Sequence, residues 1–153
     1  MIREAVYEDL DGLLNLYLYL HEKKIPAKDG HLDSVWNKIL TNEDYHLIVA
    51  EEGGRIVASC TLLIVPNLTR EALPYALVEN VVTHENYRGK GLASACLKYA
   101  KEIAIENGCY KMMLITGSDN PKTHDFYRNN GYSKEGKTAY YQLLKEVNWN
   151  KNI

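Results

Sequence analysis

Residues 75–108 read YALVENVVTHENYRGKGLASACLKYAKEIAIENG. Tyr75 to Thr83 is a nearly continuous apolar run, interrupted only by Glu79 and Asn80, and it predicts a central strand covered on both faces. From Gly91 to Asn107, Leu92, Cys96, Tyr99 and Ile103 recur at helical spacing, and Gly108 stands where a C-terminal cap belongs. Between the two lies Arg88-Gly89-Lys90-Gly91-Leu92-Ala93. A chain passing from a buried strand through glycines into the first turn of a helix gathers free N–H groups and the positive end of the helix dipole in one place. An anion such as a pyrophosphate can be cradled there. Gly89 and Gly91 let the backbone approach closely, while Arg88 and Lys90 add charge that grips phosphates.

Upstream, Ile2 to Val6 suits a short strand, and Leu10, Leu13, Leu14 and Tyr17 place a helix over Glu8 to His21. After the breaker-rich Pro26 to Gly30, the residues Leu32, Val35, Trp36, Ile39 and Leu40 recur at i, i+3, i+4, i+7 and i+8, a second amphipathic helix. His46 to Glu52 and Arg55 to Val65 are β-branched runs joined by Gly53-Gly54, a dipeptide that tolerates the positive φ of a hairpin turn. Downstream, Met112 to Thr116 reads as a buried strand. Asn120 and Pro121 read as N-cap and first residue of a helix running to Asn130 and stopping at Gly131. Thr138 to Leu144 reads as a closing strand, followed by a polar tail. The expected order is β-α-α-β-β-β-α-β-α-β: a single α/β (α+β) domain over residues 1–145 with a mixed, mostly antiparallel central sheet flanked by helices, and a polar tail at 146–153.

The chain has 153 residues, 46% hydrophobic and 25% charged, with 18 basic against 20 acidic side chains. That is the size and usage of one globular domain. The near-balanced charge gives no sign of a non-specific nucleic-acid binder. MIREAVYEDL carries early charges and no apolar h-region, so no signal peptide is expected, and no 18-residue apolar run suggests a membrane span. Cys60, Cys96 and Cys109 sit in apolar-periodic segments without CxxC spacing, which points to buried free thiols, no metal site and a reducing cytoplasm.

Three pyrophosphate-binding patterns compete for residues 88–93. A Walker A loop, GxxxxGK[ST], fails because Lys90 precedes the second glycine and Leu92 follows it. The dinucleotide fingerprint GxGxxG fails because Ser94 stands at its last position and the strand comes late in an antiparallel meander. The pattern [RQ]xxGx[GA] is satisfied by Arg88, Gly91 and Ala93. Here the chain resembles the Gcn5-related N-acetyltransferase (GNAT) superfamily. The likeness extends through the meander order, Glu79-Asn80-Val81-Val82-Thr83, the strand at Met112 to Thr116, and Phe126-Tyr127-Arg128 with Gly131-Tyr132, covering about residues 46 to 144.

The resemblance implies a GNAT fold, with acetyl-coenzyme A as cosubstrate held by Arg88, Gly89, Lys90, Gly91, Leu92 and Ala93. It implies that main-chain groups of Val81, Val82 and Thr83 contact the acetyl carbonyl and the pantetheine arm; the family more often has valine at 83. An amine of pKa near 10 is free in only about one molecule in a few thousand at pH 7, so transfer needs a base. Glu79 is the candidate, directly or through water, its pKa expected to rise by desolvation on a buried strand. Asn80 is expected on the opposite face of the strand. A fixed donor at the thioester oxygen stabilises the developing charge. Tyr127 matches the family's tyrosine beside the coenzyme sulfur, where a phenol can protonate the leaving thiolate. Asn120 resembles the asparagine that touches the pantetheine arm, and equally suits its capping role. His84 and His124 are expected at the surface.

The acceptor is specified least. Residues 79–82 with Cys109-Tyr110-Lys111 and Leu114 are similar to glucosamine-6-phosphate N-acetyltransferases, which implies a small-molecule amine; a protein or peptide amine is the alternative. A catalytically silent acyl-CoA-binding module and a nucleotide-binding protein are the rivals from other classes. The resemblance and the tyrosine-rich first helix lead to the expectation of a homodimer.

Overall fold

Gly53 and Gly54, at φ of 57° and 76°, close a tight hairpin between β2 (Tyr45–Glu52) and β3 (Arg55–Val65). β4 (Tyr75–Thr83) pairs antiparallel with β3, β1 (Ile2–Glu4) antiparallel with β2, and β5 (Met112–Met113) parallel with β4. The computed structural model describes residues 1–145, in which these strands form one sheet ordered β1-β2-β3-β4-β5. α1 (Leu10–Tyr17) and α2 (Gly30–Thr41) precede the hairpin, α4 (Leu92–Glu106) follows β4, and α5 (Pro121–Asn129) follows β5. A single turn, α3 (Thr69–Ala72), joins β3 to β4 with Arg70, Glu71 and Ala72 all at positive φ.

Two cores form because strand side chains alternate between the faces of the sheet. On one face Ile48, Cys60, Leu62, Ala76 and Val78 meet Cys96, Leu97, Ala100 and Ala104 of α4, with Phe126, Tyr127 and Tyr132 against them. On the other, Leu47, Val49, Ile56 and Val82 meet Leu13 and Leu16 of α1 and Trp36 of α2. α1 sits close to the sheet at Gly12, where a Cβ would come within 3.1 Å of Ile56. Cys60 and Cys96 are buried free thiols, as their apolar settings suggest, while Cys109 is half-buried.

The strands and the ends of α1 differ from expectation in informative ways. α1 ends at Tyr17 rather than at His21, because Leu18, Tyr19 and Leu20 bond back three residues and His21 turns to φ 63°. β1 stops at Glu4 and β5 after two residues, since a strand persists only where a neighbour offers ladder partners. Thr138 to Leu144 is not a strand. It has the alternation of one but no ladder partner among the described residues, and Tyr140, Tyr141 and Leu144 are 91%, 78% and 90% exposed. The tail at 146–153 lies outside the described residues. No helix among the described residues is long and apolar enough to cross a membrane.

β1 is anchored by charge as well as by its ladder. The Arg3 guanidinium donates to both oxygens of Asp9 at 2.6 and 2.9 Å and to Glu51 at 2.7 Å. Asp9 is buried and also accepts from the Val6 N–H. The Arg3 bonds hold its pKa below the usual carboxylate value, against the opposing effect of burial. A depressed carboxylate contributes its full stabilisation above its unfolded pKa of about 3.9 and loses it as the pH falls through the lower folded value. Asp9→Asn is therefore expected to destabilise the fold by about 2 kcal/mol at neutral pH. In urea denaturation the gap between variant and wild type should close below about pH 4; a gap independent of pH contradicts the assignment.

Candidate active site

Regular pleating of β4 breaks at Asn80. Thr61 opposes Glu79 and Ser59 opposes Val82, so Asn80 and Val81 together face the single residue Cys60, with Asn80 at φ 53°. This is a β-bulge, and its extra residue reverses which side chains face which core. Val78 packs toward α4, yet Val82, four residues on, packs toward α1 and α2. The alternation slips by one residue after the regular Thr61–Glu79 pair, and Glu79 and Asn80 are both exposed. Glu79 does not have the buried setting expected of it in the free protein, because β4 has lost its neighbour on that side.

That loss is the second feature of the site. β5 pairs with Ala76 and Leu77 only, while β4 runs on to Thr83. From Val78 onward one edge of β4 is bonded to β3 and the other faces an open wedge. Among the described residues, β4 beyond Leu77 has no ladder partner on that edge. Val81 is half-buried in the bulge, while Val82 and Thr83 pair with Ser59 and Ala58.

The wedge leads to the glycine-bearing loop. Gly89 and Gly91 have φ of 76° and 77°, and a Cβ built on either meets nothing within 4 Å. Their glycines serve the left-handed backbone, and the space in front of them is open. Among the described residues, no protein acceptor meets the amides of Gly89, Lys90, Gly91, Leu92 and Ala93. Gly91 is the N-cap of α4 without a side-chain cap, and the first turn of the helix carries no acidic residue. The positive end of a fifteen-residue helix thus faces solvent uncompensated. Arg88 is exposed and its Nε donates to the Thr83 carbonyl at 3.4 Å. Lys90 lies over the Tyr87 ring and 3.9 Å from Glu52, an exposed pair that a stronger anion can displace.

α5 packs Tyr127 against the core on the α4 face, within electrostatic reach of Cys60 and Glu79. Burial raises the pKa of its hydroxyl, and the nearby Cys60 and the charge of Glu79 push it the same way, so the phenol keeps its proton through the neutral range. Tyr132 stands edge-on to it, its hydroxyl pushed up to about 12 by burial. Asn130 holds this helix in place: its amide donates to the Ser94 hydroxyl in the first turn of α4 and to the Phe126 carbonyl. Nothing in the sequence marked that staple, because its two ends are 36 residues apart. Asn120 caps α5 by accepting from the Lys122 N–H at 3.0 Å.

The histidines divide. His124 is half-buried, its Nε2 donating to the Ser118 carbonyl. His84 is not at the surface but 4% exposed, its Nδ1 accepting from the Asn86 N–H and its Nε2 near Tyr19 and Arg55. Burial, and then Arg55, hold it below the usual histidine pKa and hence neutral. It braces the corner between β4 and the loop.

Residues 10–132 match the family model described as Acetyltransferase (GNAT) family. A solved structure described as a putative acetyltransferase from Agrobacterium tumefaciens str. C58 is 39% identical and superposes with a TM-score of 0.87, covering 95% of this chain and 99% of that one. Glucosamine 6-phosphate N-acetyltransferase of Trypanosoma brucei brucei is 38% identical over 52% of this chain, and glucosamine 6-phosphate N-acetyltransferase 1 of Dictyostelium discoideum 31% over 66%. The matched regions span only 52% and 64% of those two proteins. The glucosamine-6-phosphate N-acetyltransferase of Arabidopsis thaliana, 23% identical, shares the fold with a TM-score of 0.83 over 95% of this chain and 98% of that one.

The loop geometry generates a paired prediction. Gly91→Ala forces a Cβ into a left-handed conformation and is expected to cost about 1 kcal/mol of stability. Gly91→Asp adds a negative charge at the amide cradle and should weaken acetyl-coenzyme A binding by at least about tenfold more than the alanine variant does. Calorimetric titration of both variants checks this; equal affinities contradict a pyrophosphate at these amides.

Proposed function

We propose, for a chain that belongs to the acetyltransferase (GNAT) family, that it moves the acetyl group of acetyl-coenzyme A to the primary amine of a small molecule by direct attack on the thioester. The observation that carries this reading is the run of unpartnered amides from Gly89 to Ala93, continuous with the wedge that opens along β4. Gly89, Lys90, Gly91, Leu92 and Ala93 would receive the pyrophosphate, with Arg88 and Lys90 adding charge. Val81, Val82 and Thr83 would face the pantetheine arm and acetyl group from β4, and Asn120 the arm from the start of α5. Main-chain groups at the bulge suit the thioester oxygen, because their orientation is set before any charge develops.

Glu79 takes a proton from the ammonium, directly or through water, and the freed nitrogen attacks the carbonyl carbon. As the tetrahedral intermediate collapses the C–S bond breaks and Tyr127 protonates the departing thiolate. The raised pKa of Tyr127 favours this role, since a phenol still protonated at neutral pH can donate. The exposed position of Glu79 also suits its role, for the amine must reach it from solvent. Relatives named glucosamine 6-phosphate N-acetyltransferase make a phosphorylated amino sugar the first acceptor to try. Three unpaired cysteines support a cytoplasmic setting.

The partner we infer is a second copy of the chain. Tyr17 of the first helix and Tyr19 just beyond it pack on the protein's own core, so the support comes from elsewhere. Among the described residues the outer edge of β5 has no neighbour, Ile115 beyond it is 57% exposed, and the segment 138–144 presents Tyr140, Tyr141 and Leu144 to solvent. Surface of that kind is what association buries.

A thiol-release screen with acetyl-coenzyme A against amino sugars and their phosphates, polyamines, amino acids and short peptides tests the activity. Release with a small amine supports the reading, release with peptides alone moves it to the alternative, and coenzyme binding without release makes the chain a silent binder. Glu79→Gln is expected to lower kcat by about 100-fold near pH 7 and by less as the pH approaches the amine's pKa; a deficit independent of pH removes the base assignment. Tyr127→Phe should lower kcat by about tenfold with little change in KM for the coenzyme. Sedimentation should give twice 17.5 kDa for the wild type and 17.5 kDa for Tyr141→Asp with Leu143→Asp, whereas a monomeric wild type excludes the dimer.

A further inference from the structure

Buried polar atoms in a folded chain are almost always hydrogen-bonded. Among the described residues two buried side-chain atoms lack a partner, His46 Nε2 and Thr61 Oγ1. His46 uses its other nitrogen on Glu4 at the far edge of the sheet. Thr61 has only one polar atom in its side chain, and the residue is 4% exposed in the middle of β3. Valine is its close isostere and is common at such positions in this sheet, so packing alone does not call for a hydroxyl.

The register shows what the hydroxyl faces. Thr61 is flanked on one side by Leu47 of β2 and stands directly opposite Glu79 of β4 on the other. Directly opposed residues project from the same face with Cβ atoms about 5 Å apart, within reach of a carboxylate on a two-carbon stem. Glu79 has no ion pair or hydrogen bond of its own among the described residues. An unpaired buried donor thus lies beside an unpaired acceptor, at the last regular pair before the bulge.

We infer that Thr61 is a positioning residue for Glu79: its hydroxyl donates to the Glu79 carboxylate once an amine occupies the wedge, turning the second carboxylate oxygen toward the ammonium. This rests on the assignment of Glu79 as the base. The proton passes from the ammonium to Glu79, and Thr61 keeps its own. In the free protein the hydroxyl costs the fold a desolvated donor, and that cost is offset only when the carboxylate swings onto it.

The test is Thr61→Val, Thr61→Ser and Glu79→Gln, singly and with Thr61→Val combined with Glu79→Gln, in the full chain. Thr61→Val should keep or raise the thermal midpoint, lower kcat about tenfold and leave KM for acetyl-coenzyme A unchanged. Thr61→Ser, which retains the hydroxyl, should recover most of the activity. Thr61→Val should cost nothing further in the Glu79→Gln background, because the residue acts through that carboxylate. Overturning results are wild-type kcat in Thr61→Val, a serine variant as impaired as the valine one, additive losses in the double variant, or a lowered midpoint that assigns the hydroxyl to the fold. A wild type that acetylates no amine overturns the proposed function along with this inference; an active wild type with any of the preceding results overturns this inference alone.

Discussion

Hydrogen bonding along β4 is one-sided. Its edge toward β3 is paired over nearly its whole length, while its edge toward β5 is paired only at Ala76 and Leu77. A sheet interior normally permits no such gap, because unpaired backbone groups away from water are costly. The gap is sustainable here because it opens to solvent and because both faces of β4 remain covered, by α4 on one side and by α1 and α2 on the other. The bulge at Asn80 adds to it: one extra residue on β4 moves Val82 into the second core and releases main chain at the wedge.

The candidate site is built from rigid parts. Gly91 starts α4 eight residues after β4 ends at Thr83, and Arg88 ties the loop between them back to the Thr83 carbonyl. Tyr127 packs on the α4 face from α5, and Asn130 fixes α5 to the first turn of α4 through Ser94. His84 closes the corner with its Asn86 bond, held neutral by burial and Arg55. The long side chains of Lys90 and Arg88 have as present partners an exposed carboxylate 3.9 Å away and a long carbonyl contact. Such side chains can change partners at low cost when an anion arrives.

Much of the architecture was legible from residues 75–108 and their flanks because it depends on near neighbours. Gly53-Gly54 made its hairpin, Gly91 and Gly108 took positive φ at the two ends of α4, and Asn120 with Pro121 opened α5. Elements that need a distant partner were less legible. Thr138 to Leu144 has a strand's alternation and no strand beside it; β5 has five apolar or β-branched residues in prospect and a ladder for two. Tyr17 of the first helix and Tyr19 just beyond it, which read as interface material, pack against the core that α1 and α2 share with the sheet.

By itself the sequence determined which chemistry could be present: an arginine and a lysine alternating with two glycines at a helix start, a carboxylate on the preceding strand, and a tyrosine in the last helix. Those are properties of residue type and spacing, set by the intrinsic preferences of glycine, proline and caps and by hydrophobic period. The tertiary structure alone decided their settings. Glu79 is exposed because β5 departs, Tyr127 is half-buried because Asn130 holds α5 against α4, and His84 is sealed because Tyr19 and Arg55 converge on it. Thr61 is left without a partner beside Glu79 because the register of β3 against β4 sets the two opposite each other. Burial and pairing are sums over residues remote in the chain, and no local pattern carries that sum.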